Sequence, residues 1–296
     1  TLGETSRSIP LLEQALEGRR TRLGVDHPDT LMTLSNLAVA YPKVGKAAQA
    51  IPLLEQVLTQ QRRQLVEDHP DTLNTLAKLG LIHGVIGETS QAISLLEQAF
   101  ERQRARLGPD HRHTLTTLTN LAGAYRVSGQ THRASALLEE ALEGMIGKLG
   151  DDHPFTRTTI INLAGTYLED DRDDKAIALL EPVIERWRGN RTPDLNSLLT
   201  SLFLYGQALT RAGRSTEAEP VLKELARLGQ RVAPQVWFLD LGRSFLGQAL
   251  LDQGKTKEAA AFLIQADEGI RLRWNQLAPS YRSQLVVSAG VILCLY

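Results

Sequence analysis

The sequence holds a single cysteine, Cys294, in 296 residues. A lone thiol can neither close an intramolecular disulfide nor build a cysteine-based zinc site, so the chain reads as disulfide-independent and intracellular, with a cytoplasmic location expected. No sign of charge dominates: 33 Lys+Arg stand against 34 Asp+Glu, a formal net charge of -1. Binding a nucleic-acid backbone needs a concentrated cationic surface, and this balance gives no reason to expect one. Long apolar runs are lacking too. The longest, Leu285 to Tyr296, falls short of the roughly 20 residues that cross a bilayer, and no basic-then-apolar leader pattern opens the chain, so no membrane partner is expected. The phrases of common enzymes are missing as well: no G-x-G-x-x-G, no G-x-S-x-G, and no His-Arg-Asp or Asp-Phe-Gly of a kinase. No catalytic residue, cofactor or metal is therefore expected.

What the chain does contain is a repeat. Gly24-Val25-Asp26-His27-Pro28-Asp29-Thr30-Leu31 returns around His69, His111 and His153 at a step of 42 residues. A second phrase keeps that step, with Ala50, Ala92, Ala134, Ala176 and Ala218, then Ala259 one residue early; four residues on stand Leu54, Leu96, Leu138, Leu180, Leu222 and Leu263. Within one unit Leu34, Leu37, Ala38 and Tyr41 fall at helical spacing, and Ile51, Leu54 and Leu58 resume it after Gly45, so each unit holds two helices, A and B. Gly3, Gly45, Gly87, Gly129, Gly213 and Gly254 suit the turn between them, with Asp171 there in the fourth unit. Pro28, Pro70 and Pro154 suit the first turn of helix A, and Asp29 and Asp71 its positive dipole end. Pro42 and Pro182 are expected to bend their helices.

Ala38, Gly80, Ala122, Ala164, Gly206 and Gly247 precede a larger residue by one turn, which lets helix A approach helix B closely. One pair buries too little to outweigh its ordering entropy, so neighbouring pairs must stack into an all-α open solenoid. The expected divisions are a half repeat over 1–24, repeats over about 25–66, 67–108, 109–150, 151–192, 193–233 and 234–276, and a terminal helix over 279–296, together one domain. Residues 1–20 read as a B helix without its A partner, and 279–296 as an A helix without B, which is the pattern of a segment cut from a longer chain.

Asn36-Leu37-Ala38-Val39-Ala40-Tyr41 with Gly45, Ala50 and Leu54, together with their copies, resemble the tetratricopeptide repeat, in the 42-residue form of kinesin light chains and many bacterial proteins. The resemblance covers nearly the whole chain and implies a right-handed superhelix that binds proteins or peptides. The last two units depart from it: no Asp-His-Pro phrase follows Asp152, and Trp237-Phe238-Leu239 replaces the usual polar start. Arg243-Ser244-Phe245-Leu246-Gly247 with Leu250-Leu251 is similar, more weakly, to repeat tails of bacterial serine/threonine kinases, which implies a regulatory arm as an alternative function.

Several candidate chemistries resolve into structure. The histidines at 27, 69, 111 and 153 cannot converge on one ion, because equivalent positions of stacked helices stand about 8–10 Å apart; capping and loop packing explain them. His113 adds a second imidazole beside His111 without making a metal set. Gly254-Lys255-Thr256 follows a helix rather than a strand and reads as a turn, not a phosphate loop. Glu13, Glu55, Glu97, Glu139 and Glu181 form a charged row at repeat spacing, not an acid/base pair.

A second stripe on helix A carries the functional reading. It runs through Met32, Asn36, Val39 and Lys43, then Asn74, Lys78, Leu81 and Val85, then Thr116, Asn120, Gly123 and Val127, then Thr158, Asn162, Gly165 and Glu169. The resemblance implies that this stripe lines a concave groove, where Asn36, Asn120 and Asn162 hold an extended peptide backbone. Lys43, Asn74, Lys78 and Arg126 complete the expected peptide-binding set, with Lys78 suited to a carboxylate. An amide offers donor and acceptor together and so can satisfy a main chain whatever its side chains. Two alternatives stay open on sequence. The asparagines could instead bond the neighbouring helix, and Gly123 and Gly165 could serve close packing between repeats. Beyond, Thr200, Leu204, Gln207 and Arg211, then Leu241, Phe245, Gln248 and Asp252, turn apolar, which fits either a hydrophobic anchor site or a groove filled by the final helix and Trp274. Self-association through the exposed terminal helices is the remaining expectation.

Overall fold

The computed structural model describes residues 2–189, 194–233, 236 and 238–273. Over these residues the chain is all-α, and no helix is long and apolar enough to cross a membrane. It divides into two compact units, Thr1–Thr156 and Arg157–Tyr296. The expected terminal helix over 279–296, Trp237, Trp274 and Cys294 lie outside the described residues.

In the first unit α1 (Leu2–Leu23), α2 (Pro28–Ala40), α3 (Ala47–Gln64), α4 (Pro70–Val85), α5 (Thr89–Leu107), α6 (Arg112–Val127) and α7 (Thr131–Leu149) pack each on the next in chain order. α8 (Pro154–Glu169) begins at its end. The second unit continues with α9 (Asp173–Gly189), α10 (Leu195–Arg211), α11 (Ser215–Val232), α12 (Phe238–Asp252) and α13 (Thr256–Arg273), again packed in sequence from α9 to α13. Helices α2, α4, α6, α8, α10 and α12 are the A helices, and those that follow each are the B helices.

The small-against-large pattern fixes the A–B contact. Ala38, Ala50 and Leu54 are wholly buried, as are Ala122 and Ala134 in the third pair and Ala164, Ala176 and Leu180 in the fourth. Where the small residue is glycine the approach is tighter still: a Cβ on Gly206 would stand 2.3 Å from Leu222 Cδ2, and one on Gly247 2.5 Å from Leu263 Cδ2. The residue that fills the gap is thus the leucine four positions after the B-helix alanine.

The turns follow the repeat. Gly45, Gly87, Gly129, Gly213 and Gly254 all have positive φ, and Asp171 shares that conformation at φ 55°. Gly3 departs from expectation, lying inside α1. In the other copies the turn closes on carbonyls of a preceding A helix, as Gly87 N–H does on Gly84 and Gly129 N–H on Arg126. A second glycine row, Gly24, Gly108 and Gly150, also has positive φ, in the loops from B to A.

Each histidine of the recurring phrase caps its A helix. The Nδ1 atoms of His27, His69, His111 and His153 accept the backbone N–H two residues on, each at 3.2 Å. This satisfies one of the donors a helix start leaves open. The fifth A helix has no such histidine and uses Asp194 instead, whose carboxylate accepts from Ser197 N–H and Oγ–H. Of the prolines, Pro42 ends α2 and opens a 3-10 turn over Tyr41–Val44, whereas α9 runs unbroken through Pro182. Pro10, Pro52 and Pro220 also stand inside B helices, at one repeat position.

Candidate functional site

The stripe on the A helices is laid out differently in the two units. In the first, α2 presents Met32, Asn36 and Val39 exposed, α4 presents Leu81 and Val85 exposed with Asn74 and Lys78 half-buried, and α6 presents Val127 exposed with Asn120 half-buried. Every exposed large aliphatic residue of α2, α4 and α6 lies on this stripe. Helices that pack through one face normally show polar side chains on the other, so an exposed aliphatic row on that face needs its own explanation.

A cavity of about 360 Å³ opens where α2 and α4 adjoin, lined among others by Asp29, Met32, Asn36, Asp71, Asn74 and Lys78. Lys78 Nζ donates to Ser35 Oγ at 2.7 Å and has no ion-pair partner among the described residues. Burial holds its ammonium below the usual lysine range, opposed by the Asp71 carboxylate. A positive charge that is partly desolvated and only hydrogen-bonded to a hydroxyl interacts strongly with an incoming anion.

The amides of Asn36, Asn74, Asn120 and Asn162 have no hydrogen-bond partner among the described residues. Gly123 is equally uncommitted: a Cβ there would meet nothing within 4 Å, and the same holds for Gly165. Close packing between repeats therefore does not account for either glycine. Lys43, expected to continue the α2 stripe, stands exposed in the 3-10 turn that Pro42 imposes. Arg126 is exposed near the end of α6. Asn162 and Gly165 lie on α8 in the second unit, both half-buried.

Farther along the second unit the stripe closes. Leu204, Gln207 and Leu241 are buried. Arg211 is taken up internally: its Nη1 donates to Leu168 O at 2.8 Å, its Nη2 to the Asp171 carboxylate, and its Nε lies 3.3 Å from Asp173. These residues offer no open anchor site.

Two features escaped the sequence reading. His113, at the place of Asp29 and Asp71, faces Lys78; burial, then His111, Arg112 and Lys78, hold its imidazole below the ordinary range against the pull of Asp71. The replacement of Pro-Asp by Arg112-His113 was the available signal. The glutamate row also has a defined role. Tyr41 Oη donates to Glu13 Oε1 at 3.2 Å and Tyr125 Oη to Glu97, tying a B helix to the next A helix. Tyr205 is pushed up to about 12 by burial and by Glu181, the same pairing in the second unit.

Comparison with known proteins agrees with the helical-repeat fold. A family profile described as tetratricopeptide repeat matches residues 1–59, 43–105, 86–147 and 155–230, and a second of the same description matches 241–263. No curated protein matches the chain. Among solved structures, a putative kinesin light chain with nearly identical TPR-like repeats from Podosopora anserina is 28% identical, covering 69% of this chain and 97% of that one with a TM-score of 0.63. BtubC (BKLC) from P. vanneervenii is 20% identical over 78% of this chain and 90% of its own, also at 0.63. The apo form of RapI, 13% identical, covers 99% of this chain and 80% of that one at 0.71. The last two likenesses concern the fold alone.

Proposed function

Because the chain belongs to the tetratricopeptide-repeat family, a family of protein-interaction scaffolds, we propose that the face of α2, α4 and α6 holds an extended segment of a partner polypeptide, by binding alone and without catalysis. One observation carries the reading: the amides of Asn36, Asn74 and Asn120 stand unpartnered among the described residues, on the same face as the exposed aliphatic row. Unpaired amides can bond a main chain, and the aliphatic row between them can cover the segment's apolar side chains. Lys78 takes a carboxylate of the segment, with Lys43 and Arg126 as flanking cations. Asn162 has the same role on α8 in the second unit.

The test is selection of binding peptides from a random displayed library against the whole chain, followed by the Lys78→Ala/Asn120→Ala double variant. Both side chains are at least partly exposed, so helix content and melting should stay unchanged while capture of the selected peptides is lost. Undiminished capture would reject the groove.

A second reading, self-association, is favoured by α1. Leu12 is only partly buried, whereas Leu54 at the equivalent place in α3 is wholly buried, and Leu11 is exposed. Light scattering across a concentration series decides it: a constant monomer mass removes this reading.

A further inference from the structure

We propose that the loop edge of the third repeat is a second binding site, independent of the helix A face, for the apolar C-terminal residue of a partner polypeptide. A hollow of about 500 Å³ opens between the end of α5, the start of α6 and the end of α7. Its apolar lining is Leu107, Leu115 and Leu149, and Arg112, Lys148 and Asp110 supply its charges. None of the stripe residues Thr116, Asn120 and Gly123 takes part.

The cations are what set this hollow apart. Arg112 and Lys148 are exposed, and neither forms an ion pair among the described residues. The Arg112 guanidinium rests 5.1 Å from the centre of the Phe155 ring, a contact that steers the side chain without neutralising it. On the far side of Asp110 and Lys148 lie Glu143 and Glu140, the latter paired with Arg104 at 3.5 Å; the Glu143 carboxylate repels an anion there and leaves the Arg112 side as the place for one. Apolar walls with adjacent unpaired cations fit a group carrying an aliphatic side chain and a carboxylate on one residue. A polypeptide presents that combination only at its C-terminal end.

The hollow is written into this repeat. Pro28, Pro70 and Pro154 occupy the place of Arg112 in the other copies, and Gln60, Arg102 and Arg186 occupy that of Gly144. A Cβ on Gly144 would stand 2.8 Å from Leu115 Cδ2 and 3.3 Å from Asp110 Oδ1. Any larger residue would therefore push on the floor and the acidic corner together.

The test titrates the full chain, methyl-labelled for NMR, with acetyl-Ala-Ala-Leu as the free acid and as its C-terminal amide. Saturable shifts are expected at Leu107, Leu115 and Leu149, with the amide weaker by about tenfold or more, the factor lost with a charge-assisted hydrogen bond. Arg112→Ala/Lys148→Ala should reduce the free acid to the level of the amide, whereas Lys78→Ala should leave it unchanged. Equal binding of acid and amide, wild-type affinity in the double variant, loss in Lys78→Ala, or no saturable shift at these leucines would each overturn the proposal.

Discussion

Replacing Gly123 with alanine separates the proposed binding face from a structural one, because the two readings assign opposite signs to the same methyl group. Gly123 lies inside α6, and its Cβ would have nothing within 4 Å. No packing cost offsets the gain in helix propensity, which is about 0.5–1 kcal/mol for glycine to alanine in a helix interior. Since about 1.4 kcal/mol is a factor of ten, amide exchange through local opening of α6 should slow by roughly 2–5-fold. Gly229→Ala is the internal control. Its Cβ would stand 2.2 Å from Cδ2 and 2.8 Å from Cδ1 of Leu239, which is buried between α11 and α12. Overpacking costs about 1–3 kcal/mol, so after the same propensity gain of about 0.5–1 kcal/mol the net loss is about 0–2.5 kcal/mol. Hydrogen exchange and urea titration measure both variants. In parallel, Gly123→Ala should weaken capture of the selected peptides, since the methyl projects where a ligand backbone would pass. A stability loss in Gly123→Ala would show that the open space is filled by the protein itself; a stability gain with undiminished peptide capture would show that no backbone approaches there.

Gln103→Met should stabilise the first unit by about 1–3 kcal/mol, the cost of a buried polar group left without a partner. Gln103 is wholly buried, neither side-chain amide atom has a hydrogen bond among the described residues, and Met145 fills the same place one repeat on. A lower urea midpoint in the variant would refute this. Acid should reveal the Glu219 network: hydrogen bonds from Lys223 at 2.7 Å and Lys255 at 2.6 Å pull its carboxyl down to about 2. Between about pH 4.5 and 2 the unfolded chain then binds the extra proton, so this contribution is whole above that window and fades as pH falls through it. The stability gap between wild type and Glu219→Gln, read by urea titration at stepped pH, should narrow over the same range; a gap independent of pH would refute the assignment.

The fold was legible because its determinants are local and recur. Helical spacing, one turn residue and one small-large contact are each stated six times, at a step of 42 residues that shortens to 41 only at the last, so chance departures such as Leu209 for Tyr41 do not hide the pattern. The histidines were legible as caps because position alone excludes convergence, and the Nδ1 contacts bear that out. The site was less legible. An asparagine reads identically whether its amide bonds a neighbouring helix or stands free, and only coordinates separate the two. The hollow at Arg112 sets Leu107 and Leu149, equivalent residues one repeat apart, beside Arg112 and beside a floor that Gly144 leaves free; the leucines recur in the pattern, but Arg112 and Gly144 depart from it, and the pattern does not say that the two departures meet.

The fourth repeat explains why the stripe alone misleads toward its end. Asp171 adopts φ 55° where five copies place glycine, a conformation that costs other residues about 1–2 kcal/mol and that aspartate tolerates best among charged side chains. The compensation comes from one repeat farther on, where Arg211 bonds both Leu168 O, at the end of α8, and the Asp171 carboxylate. Arg211 holds the stripe position that Lys43 holds in the first repeat, yet Lys43 is exposed and Arg211 is committed to the turn. A stripe position has there become part of the scaffold, and the loss of a turn glycine accounts for it. The same reasoning runs in reverse for the first unit: Gly87 and Gly129 relieve their turns of any need for such support, which leaves Val85 and Val127, the equivalents of Arg211, exposed and available to a partner.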